Sequence, residues 1–426
     1  MSWNGWVFAY LPEETVAAPA GTLELVERGV ESTTSIFGYG RRYLDRPNAV
    51  PVDPFSLPLT CRPGNEQLYE PVRPPLFGAV RDAAPDFWGR RVIEAKLGIP
   101  PDSVPESVYL LNAGPHRFGA LDFRADSSSE ETPGLLPPLT ELAYLLEAAD
   151  RIQAGEKIPA QLEHIFLAGS MGGARPKALV IHQGEQYLAK FPAKKDGFNV
   201  PAVERACLEL ARKAGLNVPP TDIRSLPDGR QVMLIERFDR RAAGATFLRR
   251  HCVSALTLLG KYEEESLGTP YEDLAAKIGE VGVDAGVRAD REELYGRIAF
   301  NILASNDDDH LRNHAFVWSP EGKGWRLSPM YDVVPRPQVA QERYLHMSVG
   351  PRGRLATLDN LLEAHGSFGL LRKDAAVIID RIARVTREWR IHFEELGVPE
   401  NDCDKVTSAF RRPRDIGLDA VESALD

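Results

Sequence analysis

The sequence predicts an α+β chain of two lobes, a β-rich N-terminal lobe followed by an all-helical C-terminal lobe. Three observations carry this reading. The first 80 residues crowd Pro and Gly between short β-favouring runs. Between 177 and 236, three more strand-like runs surround one helical stretch. Beyond Arg241 apolar residues recur at helical spacing as far as 396.

Taken in order, Gly5–Leu11 and Thr22–Val26 predict strands, the second by its alternation. Asp86–Leu97 predicts a helix stopped by Gly98 and Pro100. Residues 106–123 look extended, and the polar run Ser127–Pro133 marks a boundary. Leu142, Leu145, Leu146 and Ala149 then share one face of a helix expected over Leu139–Ile152. Lys177–His182 and Gln186–Phe191 predict strands joined by a tight turn at Gly184. A helix over Ala202–Ala214, halted by Gly215, and a strand over Gln231–Glu236 complete the region. Helices are expected near 252–261, 270–280, 290–305, 356–364 and 374–396, with a hairpin of Ala315–Trp318 and Trp325–Leu327 among them. The division that results is 1–130, 131–240 and 241–426. Ligands favour the cleft between two such lobes.

The bulk properties exclude several classes. The 426 residues suffice for two or three domains with sizeable cores. Lys and Arg number 51 against 61 Asp and Glu, a net charge of −10. A protein that grips nucleic acid unaided carries a basic surplus to displace phosphate counterions. Arg237, Arg240 and Arg241 form only a local cluster. Cys61, Cys207, Cys252 and Cys403 are isolated, as expected of reduced thiols. The N-terminus shows no basic start before an apolar run, and no stretch approaches 18 apolar residues. A cytoplasmic protein without membrane contact is the expectation.

The strongest local signal is Ser305-Asn-Asp-Asp-Asp-His-Leu-Arg-Asn-His314. Three adjacent carboxylates repel one another and resist burial without a cation or donors. They fit a solvated acidic helix end, a transition-metal site of Asp308, His310 and His314, or a phosphotransferase loop. In the last, Asp308 and Asn313 have the D-x-x-x-x-N spacing of protein kinases, where the Asp takes the substrate hydroxyl proton and the Asn oxygen holds magnesium. Spacing alone leaves these open. After the hairpin, Asp332 in Leu327-Ser-Pro-Met-Tyr-Asp332 stands where a second magnesium carboxylate belongs.

Upstream, Ser170-Met-Gly-Gly-Ala-Arg-Pro-Lys177 places Gly172 and Gly173 before a strand, where backbone N–H groups can meet phosphate oxygens. Lys190, inside an apolar strand, needs an anionic partner such as the α- and β-phosphates of ATP, unless it lies on an edge and reaches water. Glu204 on the next helix is the candidate carboxylate for a Lys–Glu ion pair. Glu236, Arg237 and Phe238 follow as a hinge for the adenine edge, with Asp239 expected to reach the ribose. Each feature alone has an ordinary structural explanation. Together, in this order, they are the parts of a kinase.

The set Ser170–Lys177, Ala189-Lys-Phe-Pro192, Ile235-Glu-Arg-Phe-Asp-Arg240, Asp308–Asn313 and Leu327–Asp332 resembles kinases of the HipA family. So do Leu76-Phe-Gly, Pro85-Asp-Phe-Trp-Gly-Arg-Arg91 and Arg117-Phe-Gly-Ala-Leu-Asp-Phe123, which look like that family's N-terminal subdomain. The resemblance implies a two-lobed protein-kinase-like fold and an ATP- and magnesium-dependent serine/threonine kinase acting as a toxin. It implies a HipB-like helix-turn-helix antitoxin as partner, DNA reached only through that antitoxin, and a protein substrate, translation machinery being one such target. Asp308 becomes the base, Asn313 and Asp332 the magnesium ligands, Lys190 the phosphate-binding lysine and Ser170 an autophosphorylated serine. The nucleotide-binding set is Ser170, Gly172, Gly173, Ala174, Lys177, Lys190, Glu236 to Asp239 and His310.

Arg175 and Pro176 stand where many members have Gln-Glu, and Asp309 where some have a small uncharged residue. Two rivals remain: a catalytically weak regulatory scaffold holding the antitoxin, and a metal-dependent hydrolase built on Asp308, His310 and His314. A scaffold would have lost a catalytic Asp, Lys or metal ligand; all are present.

Overall fold

A computed structural model describes residues 2–59, 67–129, 135–162, 173–244 and 246–426. The chain divides into two compact units, Met1–Lys194 with Arg224–Val253, and Lys195–Ile223 with Ser254–Asp426.

The first unit opens with an antiparallel sheet of Ser2–Tyr10, Ala17–Arg28, Glu31–Tyr39, Leu68–Tyr69 and Leu121–Arg124. Residues 106–123, expected to be extended, instead begin with a helix, Glu106–Asn112, before the strand Leu121–Arg124. The β-favouring Val, Tyr and Leu are overruled by anchors that need a helical turn. Ser107 donates from its backbone N–H and its hydroxyl to Glu27, at 2.9 and 2.7 Å. Tyr109 Oη reaches Glu94 Oε1 at 2.6 Å, and Glu106 pairs with Arg90 at 2.6 Å.

A second sheet has four strands, in the order Lys177–His182, Glu185–Lys190, Gln231–Glu236 and Thr221–Ser225. Its first two strands are joined by Gln183 and Gly184, both at positive φ (50° and 85°) as a two-residue hairpin turn requires. Leu142, Leu145, Leu146 and Ala149 of the helix Leu142–Ala154 pack with Ala178, Val180, Ala189, Val232 and Leu234 of this sheet. The periodicity named the correct face. Helical spacing expected directly after Arg241 gives way to a hairpin of Arg240–Ala243 and Thr246–Arg249.

The second unit is helical around one hairpin, Ala315–Ser319 with Gly324–Leu327. Its central helix, Asp284–Ala304, is buried on every face from Leu294 onward, including Arg297 and Asn301. Its end therefore carries no single apolar stripe. The helix expected over 374–396 is two, Arg372–Thr386 and Trp389–Glu395. Thr386 Oγ1 donates back to Ile382 O at 2.8 Å, and Trp389 stacks on Phe410 with ring centroids 4.2 Å apart. A side-chain bond that competes with the backbone ladder, next to a ring held elsewhere, breaks the run.

Candidate functional site

The central helix of the second unit ends at Ser305, whose left-handed conformation (φ 50°, ψ 44°) turns the chain into the acidic loop. Ser305 Oγ donates to Ala409 O at 2.7 Å, fixing the turn. The loop then sends its three carboxylates in different directions. Asp307 is half-buried, and burial raises its pKa despite nearby Arg336. Asp308 points outward, with 53% of its side chain exposed.

Asp309 is buried, with Tyr271 Oη donating to Oδ2 and His314 Nε2 lying 3.0 Å from the same oxygen. Burial pushes its pKa up, but His314 and the two hydrogen bonds outweigh burial and hold it below the usual carboxylate range. Tyr271 is driven the opposite way, by burial first and then by the Asp309 charge. The extra carboxylate beside the expected base is thus a core group that ties the loop to the helix Tyr271–Val281.

Asn313 closes a short turn begun at His310, its N–H donating to His310 O at 2.8 Å. Its side-chain Nδ2 donates to Asp308 O at 2.9 Å. With the amide nitrogen so committed, Oδ1 is the end left to meet a cation. The hairpin then returns the chain, and Ser328 N–H donates to Ala315 O at 2.9 Å. Tyr331 Oη donates to Arg312 O at 2.8 Å. The residue before Asp332 is therefore bonded to the residue before Asn313. Asp332 itself sits at φ 55°, a conformation that costs a non-glycine residue roughly 1–3 kcal/mol. Such strain persists where the surroundings dictate it, as they do at a ligand-holding position.

His310 packs its ring edge-on to His346, with centroids 5.8 Å apart. His346 Nε2 lies 3.1 Å from Ser266 Oγ, which also accepts the Leu311 N–H at 3.0 Å. The sequence expected His310 among nucleotide contacts; the structure places it against this support of the loop. His314 is turned inward to Asp309, edge-on to Tyr271. Among the described residues no group of three or more His, Cys, Asp or Glu is arranged to hold a metal. The oxygen donors Asn313 and Asp332 are of the kind magnesium prefers.

In the first unit, Lys177 and Lys190 are register partners, so their side chains leave the same face of the sheet. Like charges directly opposite repel, and an anion on that face relieves them. Lys177 is buried to 5% exposure, its Nζ 3.8 Å from Asp86 Oδ2. Asp86 Oδ1 caps the helix Phe87–Leu97 by accepting from Gly89 N–H at 3.0 Å, and Trp88 Nε1 donates to Lys177 O at 2.7 Å. Gly173, at φ 108°, lies over the same ammonium: a Cβ there would stand 2.5 Å from Lys177 Nζ. Ala174 beside it is exposed. Ser170 and Gly172 lie outside the described residues. Glu204 is buried on the helix Val200–Lys213 of the second unit.

The hinge segment requires a correction. Asp239, expected to reach a ribose, is 2% exposed and saturated. Arg237 donates to both its oxygens at 2.9 and 2.7 Å, Arg240 adds a bond at 2.8 Å, and Gly119 N–H another at 2.9 Å. The two guanidinia also reach the carbonyls of His116, Arg117 and Gly119. Burial opposes the Asp239 charge, yet the two arginines hold its pKa far below the usual range. The side chains of Arg237 and Asp239 fasten 116–119 within the first unit. Phe238 is edge-on to Phe118 at 6.1 Å, and Glu236 faces Tyr187 across the strands. Sequence reasoning missed Asp86, Tyr271 and Tyr331; only Asp86 carried a local signal, as the cap of an expected helix.

The family described as the HipA-like C-terminal domain matches residues 169–389. A Sinorhizobium fredii protein named as a kinase is 23% identical over 396 residues, covering 88% of this chain and 89% of its own. The serine/threonine-protein kinase toxin HipA of Shewanella oneidensis is 27% identical over 229 residues, covering 47% of this chain and 51% of its own. Among solved structures, HipA in the Shewanella oneidensis complex of HipA, HipB and operator DNA matches with a TM-score of 0.67 and 19% identity. That match covers 96% of this chain and 97% of the other, and it shows the fold.

Proposed function

The chain belongs to the HipA-like C-terminal domain family, and from that premise we propose that it is an ATP- and magnesium-dependent serine/threonine protein kinase, the toxin of a toxin–antitoxin pair. One observation carries the reading. The hydroxyl of Tyr331 bonds the carbonyl of Arg312, so Asp332, at its strained φ, is coupled to the loop that holds Asp308 and Asn313. The segments 1–130, 131–240 and 241–426 are assigned as N-terminal subdomain, N-lobe and C-lobe.

Asp308 accepts a hydrogen bond from the acceptor hydroxyl and takes its proton as that oxygen attacks the terminal phosphorus of ATP, whose bond to the bridging oxygen breaks to release ADP. Asn313 Oδ1 and the Asp332 carboxylate would hold magnesium, which when bound offsets the charge gathering on the phosphoryl oxygens. Lys177 and Lys190 neutralise phosphate oxygens on their shared sheet face. Ser170 is the site of self-phosphorylation. A phosphate there brings about −1.5 to −2 charges into the run Ser170–Lys177 and competes with the nucleotide's own.

The partner is a HipB-like antitoxin, supported by the HipB bound to the Shewanella protein. DNA is reached through the antitoxin, in keeping with the net charge of −10. No helix among the described residues is long and apolar enough to cross a membrane.

Incubation of the purified protein with labelled ATP, magnesium and cell lysate tests the activity and identifies the target. Label on serine or threonine of a discrete protein supports the reading; absence of any transfer contradicts it. Lys190→Met keeps the aliphatic stem and removes the charge. Losing one charge-assisted contact of roughly 1.5–3 kcal/mol should weaken ATP binding by about 10- to 100-fold. Unchanged ATP affinity by calorimetry would make Lys190 an ordinary strand lysine.

A further inference from the structure

The segment after Asp332 folds back onto the acidic loop through one guanidinium. Arg336 Nη2 lies 2.5 Å from Asp308 Oδ2 and its Nε lies 3.2 Å from Asp307 Oδ1. The backbone presses the same way: Arg336 N–H donates to Ser305 O at 3.2 Å. Beyond it, Gln338 Nε2 donates to Asp307 Oδ2. Arg343 binds Ser305 Oγ at 2.6 Å and Gln338 O at 2.9 Å, anchoring the return of the segment.

This arrangement has a consequence for the base. Among the described residues nothing donates to Asp308 Oδ1, while Oδ2 is occupied by Arg336. A half-exposed carboxylate left alone samples several rotamers. Clamped by one oxygen, it presents the other in a fixed direction. The guanidinium fork also bridges neighbouring carboxylates that would otherwise repel.

We propose that Arg336 is a positioning residue for phosphoryl transfer, holding Asp308 by Oδ2 so that Oδ1 faces the acceptor hydroxyl. The inference rests on the kinase reading and on Asp308 as its base. Arg336 acts on the orientation of Asp308, so its loss lowers the transfer rate and spares nucleotide binding.

The test compares Arg336→Gln, Arg336→Lys, Asp308→Asn and the double variant Asp308→Asn/Arg336→Gln. The assay is label transfer from magnesium-ATP to the lysate protein that the wild type labels most heavily. Misplacing a reacting group by about 1 Å costs on the order of 10²-fold in rate. Arg336→Gln is therefore expected to lose about that factor at saturating ATP, with the KM for ATP within about twofold of wild type. Arg336→Lys should recover part of the rate, because a cation is restored without the fork. In the double variant, Arg336→Gln should add no loss to that of Asp308→Asn, since both act through one group. Wild-type turnover in Arg336→Gln, or a full further loss in the double variant, overturns the inference while leaving the kinase reading intact. Wild-type transfer by Asp308→Asn overturns the base assignment and this inference together.

Discussion

Asp308→Ala is expected to lower phosphoryl transfer by about 10²- to 10⁴-fold, the usual contribution of a positioned general base. The fold should not change. Asp308 is half-exposed, and its pair with Arg336 lies at the surface, where such pairs contribute about 0–1 kcal/mol. Its backbone carbonyl, which receives the Asn313 side chain, survives the substitution. The expected result is thus a protein with wild-type melting temperature and ATP affinity but very slow turnover. Transfer at the wild-type rate would remove Asp308 from the mechanism.

Asp309→Ala is expected to do the reverse, unfolding the protein sooner through a residue that touches no substrate. Its carboxylate is buried between Tyr271 and His314. Removal leaves a buried hydroxyl and a buried imidazole facing an apolar methyl group, and breaking a buried pair this way typically costs about 3–5 kcal/mol. Asp309→Asn retains an acceptor oxygen and should cost less. Urea denaturation followed by tryptophan fluorescence reads the difference as a lower midpoint. An unchanged midpoint in Asp309→Ala would show that the buried network carries no stability.

These two adjacent aspartates show where the sequence informs and where it stops. The D-x-x-x-x-N spacing made Asp308 and Asn313 candidates for a catalytic loop, and the order of the other motifs favoured that reading. Three consecutive carboxylates, however, look alike in a sequence. Only packing against Tyr271, thirty-odd positions upstream, sends Asp309 inward. Arg336 had no local mark for the same reason. Its partner lies across a hairpin, and a charged residue in an irregular segment reads as solvated. Asp239 was misread in the opposite sense. A charged residue after a strand suggests an open turn, but Arg237 and Arg240 on either side supply enough donors to bury it. Where one face of an element met one core, as in Leu142–Ala154, periodicity was sufficient. The fully buried end of Asp284–Ala304 and the tertiary anchors of Glu106–Asn112 lie beyond any local pattern.

We propose that Asp308, Asn313 and Asp332 together transfer the terminal phosphoryl group of ATP. Intact-mass analysis of the purified protein after incubation with ATP tests it most directly, with and without magnesium and with Asp332→Asn and Ser170→Ala alongside. The wild type should gain one phosphoryl group on Ser170 in magnesium only. Asp332→Asn should gain none, and Ser170→Ala should lose that modification while still transferring phosphate to its target. Phosphorylation that persists in Asp332→Asn or without divalent metal would remove Asp332 and magnesium from the transfer.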